Sequence, residues 1–81
     1  MRIHIRYFAA LREITGQAED ILDLSEGAKV SDAALALARR WPALKAPLAA
    51  CVSAVNRAYV TSDTPLRDGD ELVFIPPLGG G

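Results

Sequence analysis

An α+β fold, a mixed β-sheet with one main helix on one face, is what three stretches of this 81-residue chain predict. RIHIRYF near the start alternates polar and apolar residues with period two, the pattern of a half-buried strand. VSDAALALARRWP in the middle repeats its apolar residues every three or four positions, as a helix with one buried stripe does. ELVFI near the end is apolar at both parities and is stopped by Pro76-Pro77, because proline cannot donate to a strand ladder.

Taken in order, the opening strand sets Ile3, Ile5 and Tyr7 against Arg2, His4 and Arg6. AALREITG reads as a short helical turn closed by Gly16. EDILDL, bounded by Gly16-Gln17 and Ser25-Glu26-Gly27, is a second strand returning beside the first, so residues 2–24 form a loose hairpin. The main helix takes Ser31 as N-cap, has Asp32 in its first turn and Arg39 and Arg40 in its last, and meets Pro42 just beyond. Val30 and Leu35 occupy the staple positions, and Ala34, Leu37, Ala38 and Trp41 form the face that lies on the sheet. ALKAPLAA is expected as connection. CVSAVN and AYVTS are strands around an Asn56-Arg57 turn, TPLRDGD is a further turn region, and ELVFI closes the fold. The order β-β-α-β-β-β with one main helix is that of the β-grasp, or ubiquitin-like, fold, whose last strand runs parallel to the first in mid-sheet. Residues 1–75 then make the domain, and 76–81 are expected to be a flexible Gly-Gly tail.

Composition removes several classes of function. A chain of this length holds one modest core and no second domain. Nine basic and ten acidic residues of interspersed sign leave no electrostatic footprint for nucleic acid or an anionic membrane. One cysteine neither staples a secreted miniprotein nor supplies a metal site, which fits a reducing cytoplasm. The N-terminal residues alternate charge with apolar side chains instead of offering a leader-like apolar run, so an untargeted cytoplasmic protein is expected.

The chain ends on PPLGGG. Glycines bury no apolar surface and lose the most backbone freedom on ordering, so Gly79, Gly80 and Gly81 do not serve stability. A free α-carboxyl has a pKa of about 3.3–3.7 and is a poor electrophile at neutral pH, so chemistry there requires activation. The sequence has no G-x-x-x-x-G-K-[ST] phosphate loop, and the tail offers no acid, base or metal ligand. Any activation must come from another protein. Pro76 to Gly81 reach at most ~20 Å when extended, and absent side chains let a narrow channel pass them. Pro76 and Pro77 hold the root of the tail extended and off the sheet. In ELVFI, one of the pairs Leu72/Phe74 and Val73/Ile75 packs on the helix; the other is either open to a partner or covered within the monomer.

FAALREITG, AVNRAYV, LRDGD followed by ELVFI, and the closing PPLGGG together resemble the MoaD family, the small subunit of molybdopterin synthase, over the whole chain. Gly79 and Ile75 depart from it, since the family more often has another small residue at the first and an aromatic at the second. The resemblance implies a sulfur carrier that is a non-catalytic, sulfur-donating subunit, with no cofactor or metal of its own. Its Gly81 carboxylate would be adenylated, with ATP used by an activating partner resembling ubiquitin-activating enzyme. It would then be thiocarboxylated with a sulfur donor protein and inserted into the large synthase subunit, where sulfur passes to cyclic pyranopterin monophosphate. Tyr59 and Ile75 match family positions of subunit contact, which turns Val73 and Ile75 outward, and Arg12 matches a position that pairs with acidic groups on the activating enzyme. A thiamine-pathway sulfur carrier and a ubiquitin-like modifier conjugated through Gly81 are the alternatives. Cys51 reads as a small packed residue, His4 as a surface imidazole, Trp41 as core, and Asp68-Gly69-Asp70 as a turn without calcium-loop spacing.

Overall fold

In the computed structural model, which describes residues 1–77, the alternating N-terminal stretch forms β1 (Arg2–Arg6). Ile3 and Ile5 are fully buried there while Arg2, His4 and Arg6 are exposed. A short helix α1 (Ala9–Thr15) follows and ends at Gly16, whose left-handed φ of 70° lets its N–H reach the Arg12 carbonyl at 2.8 Å. Strand β2 (Glu19–Asp23) then runs back antiparallel to β1, as the hairpin reading requires.

The main helix α2 (Val30–Arg40) starts earlier than the sequence suggests: Lys29, and not Ser31, is its N-cap. The reason is tertiary. The Val30 and Ser31 N–H groups donate to the carbonyls of Thr64 and Ser62 at 3.0 and 2.9 Å, so a distant loop satisfies donors that a capping hydroxyl would otherwise take. The Asp32 carboxylate accepts the Lys29 N–H at 2.8 Å. With the start shifted, the expected Val30–Leu35 staple does not form. Val30 is buried, Leu35 is 59% exposed, and the buried stripe is Val30, Ala33 and Leu37, with Ala34 and Trp41 packed at its margin.

ALKAPLAA, expected as connection, is a 3₁₀ turn (Pro42–Leu44) running into helix α3 (Lys45–Ala50). Leu44 and Leu48, four residues apart, both enter the core. Pro47 does not break α3, because it sits in the first turn, where its missing N–H would have had no helical partner. Strands β3 (Val52–Val55) and β4 (Ala58–Val60) follow around a two-residue turn. Asn56 and Arg57 are both left-handed there, φ 50° and 71°, which matches the twist of a tight hairpin.

Strand β5 (Glu71–Ile75) completes a five-stranded sheet of order β2-β1-β5-β3-β4. It lies parallel to β1 and antiparallel to β3. This is the mixed sheet with one covering helix that defines the β-grasp. Leu72 and Phe74 join Ile3, Ile5, Leu22 and Leu37 in the core on the helix side. Among the described residues no helix is long and apolar enough to cross a membrane, and no group of His, Cys, Asp and Glu is placed to hold a metal ion.

Candidate functional site: the open sheet face and the root of the tail

Residues opposed across a ladder point to the same side of a sheet, so the register fixes what the uncovered face carries. Arg6 is opposed to Val73, Ala54 to Val73 and Tyr59, and Val52 to Ile75. Val73 and Ile75 therefore share the face that turns away from α2, while Leu72 and Phe74 are buried beneath it. Of the two possibilities for ELVFI, the uncovered one holds. Tyr59, 77% exposed, stands beside them on β4.

Two residues extend this patch beyond the sequence reading. Val52 is 51% exposed at the start of β3, and Phe8 is 46% exposed just past β1. Phe8, Tyr59, Val73 and Ile75 border a shallow hollow of about 300 Å³, and Val52, Tyr59, Ile75, Pro76 and Pro77 wall a second of about 460 Å³ at the root of the tail. Phe8 ends the alternating stretch with the outward parity of Arg6, but a single apolar residue past the end of β1 gives no sign of a patch, and the facing of Val52 follows from a register that only pairing reveals. Gly79, Gly80 and Gly81 lie outside the described residues.

The start of β5 is held by polar contacts that set its register. Asn56 Nδ2 donates to Asp70 Oδ1 at 2.9 Å, and Asn56 Oδ1 accepts the Glu71 N–H at 3.0 Å. Asp68 Oδ1 accepts the Arg2 N–H at 2.6 Å, and the Gly69 N–H donates to the Arg2 carbonyl at 2.8 Å. Asp68-Gly69-Asp70 is thus a structural turn, with Gly69 at φ 85°. Because β1 and β5 are parallel, α1 and Pro76 leave the sheet from the same end. Arg12 is exposed on α1 at that end, and among the described residues it makes no ion pair.

The other half of the open face is charged. Arg2 pairs with Asp23 at 3.7 Å, and Arg6 lies 3.9 Å from both Glu19 and Glu71. The Arg6 guanidinium also sits 5.9 Å from the Phe8 ring centroid, where charged and apolar halves meet. His4 is exposed among these pairs, as its alternation predicts. On the helix side of β2, a cluster with no local sequence signal joins three elements: the Tyr7 hydroxyl donates to Asp20 Oδ2 at 2.9 Å and the Arg40 guanidinium to Asp20 Oδ1 at 3.0 Å. Burial works against the Asp20 carboxylate, but hydrogen bonds from Tyr7, the Ile21 N–H and Arg40 outweigh it and hold its pKa below the ordinary value. Burial, reinforced by Asp20, pushes the Tyr7 hydroxyl well above its own.

Cys51 caps α3, and its thiol donates to the Pro47 carbonyl at 3.2 Å. Burial pushes this thiol up, which reduces the thiolate available for chemistry.

A mixed sheet of this order, with one half of its open face apolar and its central strand leading to Pro76 beside that half, defines a ubiquitin-like domain. Residues 5–81 match the model of the ThiS family, and the chain belongs to that family. It is 40% identical to the molybdopterin synthase sulfur carrier subunit of Chlamydomonas reinhardtii, with all of both chains covered. The putative molybdopterin converting factor, subunit 1, from Pyrococcus furiosus superposes with a TM-score of 0.87 at 32% identity, covering 95% of this chain and 98% of that one. Small archaeal modifier protein 1 of Haloferax volcanii superposes at 0.88 with 26% identity, over 95% and 98%. The resemblance read from the sequence and the β-grasp fold both stand.

Proposed function

We propose that this chain is the sulfur carrier subunit of a molybdopterin synthase, with the sulfur held as a thiocarboxylate on Gly81. The observation that carries the reading is β5: its outward residues Val73 and Ile75 are uncovered, and the same strand continues into Pro76, Pro77 and the glycine tail. Docking surface and reactive terminus are one piece of chain. The likeness to sulfur carrier subunits over full length supports the choice of pathway.

In this reading the Gly81 carboxylate attacks the α-phosphorus of ATP on an activating enzyme and releases pyrophosphate, and Arg12 meets acidic groups of that enzyme. Sulfide-level sulfur supplied by a donor protein then attacks the acyl carbon of Gly81, forming the C–S bond as the C–O bond to AMP breaks, so AMP leaves and the thiocarboxylate remains. The folded body docks through Tyr59, Val73 and Ile75 onto the large subunit, and the tail enters its active site to deliver sulfur to cyclic pyranopterin monophosphate. Docking first is required, since ordering the tail costs roughly 1–2 kcal/mol of backbone entropy per residue. The tail PPLGGG has no acidic, basic or metal-binding side chain and the sequence has no phosphate loop, so in this reading acid–base and ATP chemistry belong to the partners.

The likeness to small archaeal modifier protein 1 favours a second reading, conjugation of Gly81 to lysines of other proteins. One experiment addresses both. Wild type, a form lacking Gly81 and Cys51→Ala are incubated with activating enzyme, MgATP and sulfur donor, followed by intact mass and thermal melting. Wild type and Cys51→Ala should each gain the mass of one oxygen replaced by sulfur at Gly81. The shortened form, its carboxyl withdrawn by ~3.3–3.6 Å, should melt normally and gain nothing. Sulfur on the form lacking Gly81, or its loss in folded Cys51→Ala, sinks the carrier mechanism. Slower-migrating covalent conjugates without thiocarboxylate select the modifier.

A further inference from the structure

A second uncovered apolar surface lies on the helix side of the sheet. Between α2, α3 and the β3–β4 hairpin runs a groove of about 680 Å³, walled by Leu35 and Ala38 of α2, Leu48 of α3, and Val52 and Val60 of the hairpin. Val30 and Leu37, the other large aliphatic residues of α2, are buried, whereas Leu35 is 59% exposed at the groove wall. Lys45 is the one charged residue among the described lining, and among the described residues it makes no ion pair.

The groove is continuous with the docking face. Val52, Ser53 and Val60 wall both the groove and the hollow at the tail root, where they meet Ile75, Pro76 and Pro77. A body seated on the apolar half of the open face therefore has a continuous, mainly apolar path past the tail root to α2 and α3. Contact on one nearly flat patch leaves rotation about the tail axis weakly fixed. A second contact out of that plane fixes it, and orientation of the reacting terminus is worth a large share of any rate.

We propose that this groove receives an apolar segment of the large synthase subunit, flanked by a carboxylate that meets Lys45, as a second anchor resting on the docking function proposed above. Apolar side chains of the segment fill the space between Leu35, Leu48 and Val60, a volume in the range of ordinary binding pockets. The carboxylate is selected by charge, because Lys45 is the one charged residue on a wall otherwise made of apolar side chains and of Ser31, Ser53 and Ser62.

The test compares the affinity of purified large subunit for wild type, Leu35→Glu, Lys45→Glu and Ile75→Asp, with a melting curve for each. Leu35→Glu should weaken binding about tenfold or more, and Lys45→Glu about threefold or more with an effect that shrinks at high salt, at wild-type melting temperatures. Should Leu35→Glu melt lower, Lys45→Glu decides. Both groove variants within twofold of wild type, beside a weakened Ile75→Asp, overturn the groove and leave the docking face standing. Unchanged affinity for Ile75→Asp overturns the docking face and the groove with it. Self-association of wild type that Leu35→Glu abolishes assigns the groove to a second copy and likewise overturns the proposal.

Discussion

On β2, β1 and the first residue of β5 the open face carries Glu19, Ile21, Asp23, Arg2, His4, Arg6 and Glu71, whereas on the rest of β5 and on β3 and β4 it carries Val73, Ile75, Val52, Ala54 and Tyr59. Both halves hang from one continuous ladder and neither is covered by a helix. What differs is how each side chain meets water. The charged half pairs across strands at 3.7 to 3.9 Å and remains well solvated, so it has little to gain from a partner. In the apolar half Ala54 is already 6% exposed beneath its neighbours, and Tyr59 and Val52 keep large apolar areas in water that association would remove. Backbone pairing makes the platform; side-chain solvation decides which part of it is an interface.

The sharpest way to break this comparison is to make the apolar half resemble the charged one. Ile75→Asp should lower affinity for the large subunit at least tenfold, about 1.4 kcal/mol or more, with the melting temperature nearly unchanged because position 75 faces away from the core. Calorimetric titration and thermal melting check it. An unfolded variant would contradict the facing of β5.

A smaller effect comes from Asp20, whose side chain keeps 14% of its surface in water. Asp20→Ala should destabilise the fold by about 1–3 kcal/mol at neutral pH, because it leaves the Tyr7 hydroxyl without its acceptor and Arg40 without its partner. The pH dependence has a definite sign. A folded pKa held below the unfolded value of about 3.9 gives a contribution fully present above that value and lost as pH falls through the folded pKa. The gap in melting temperature between wild type and Asp20→Ala should therefore narrow below about pH 4. A gap that widens on acidification would show that the carboxylate is not stabilised by folding.

The smallest effect sharpens the other side. Arg2→Ala removes one exposed pair and should change stability by no more than ~0.5 kcal/mol, with affinity for the large subunit within twofold of wild type. A loss comparable to that of Ile75→Asp would place the charged half in the interface and erase the distinction.

Much of this was readable in the sequence, and what escaped did so for identifiable reasons. Period-two alternation placed Ile3, Ile5 and Tyr7 inside correctly, because a strand with one wet face leaves no other solution. The element order placed ELVFI in mid-sheet, and its double apolar parity pointed to a second apolar face. The start of α2 was misplaced because Ser62 and Thr64 supply its cap from more than thirty residues away, beyond any local signal. Helix α3 is six residues long and contains proline, too short for periodicity to declare itself. The Tyr7–Asp20–Arg40 cluster draws on three elements, and Phe8 and Val52 join the open face only once the register is known.

The placement of β5 between β1 and β3 also has a mechanical consequence. A strand at a sheet edge can be peeled away one hydrogen bond after another, whereas β5 is gripped on both sides. Tension applied at Pro76 along the strand loads both ladders in shear, with many bonds sharing the force at once. If the terminus is passed between partners as proposed above, the chain can thus be pulled by its tail without the tug unravelling the body.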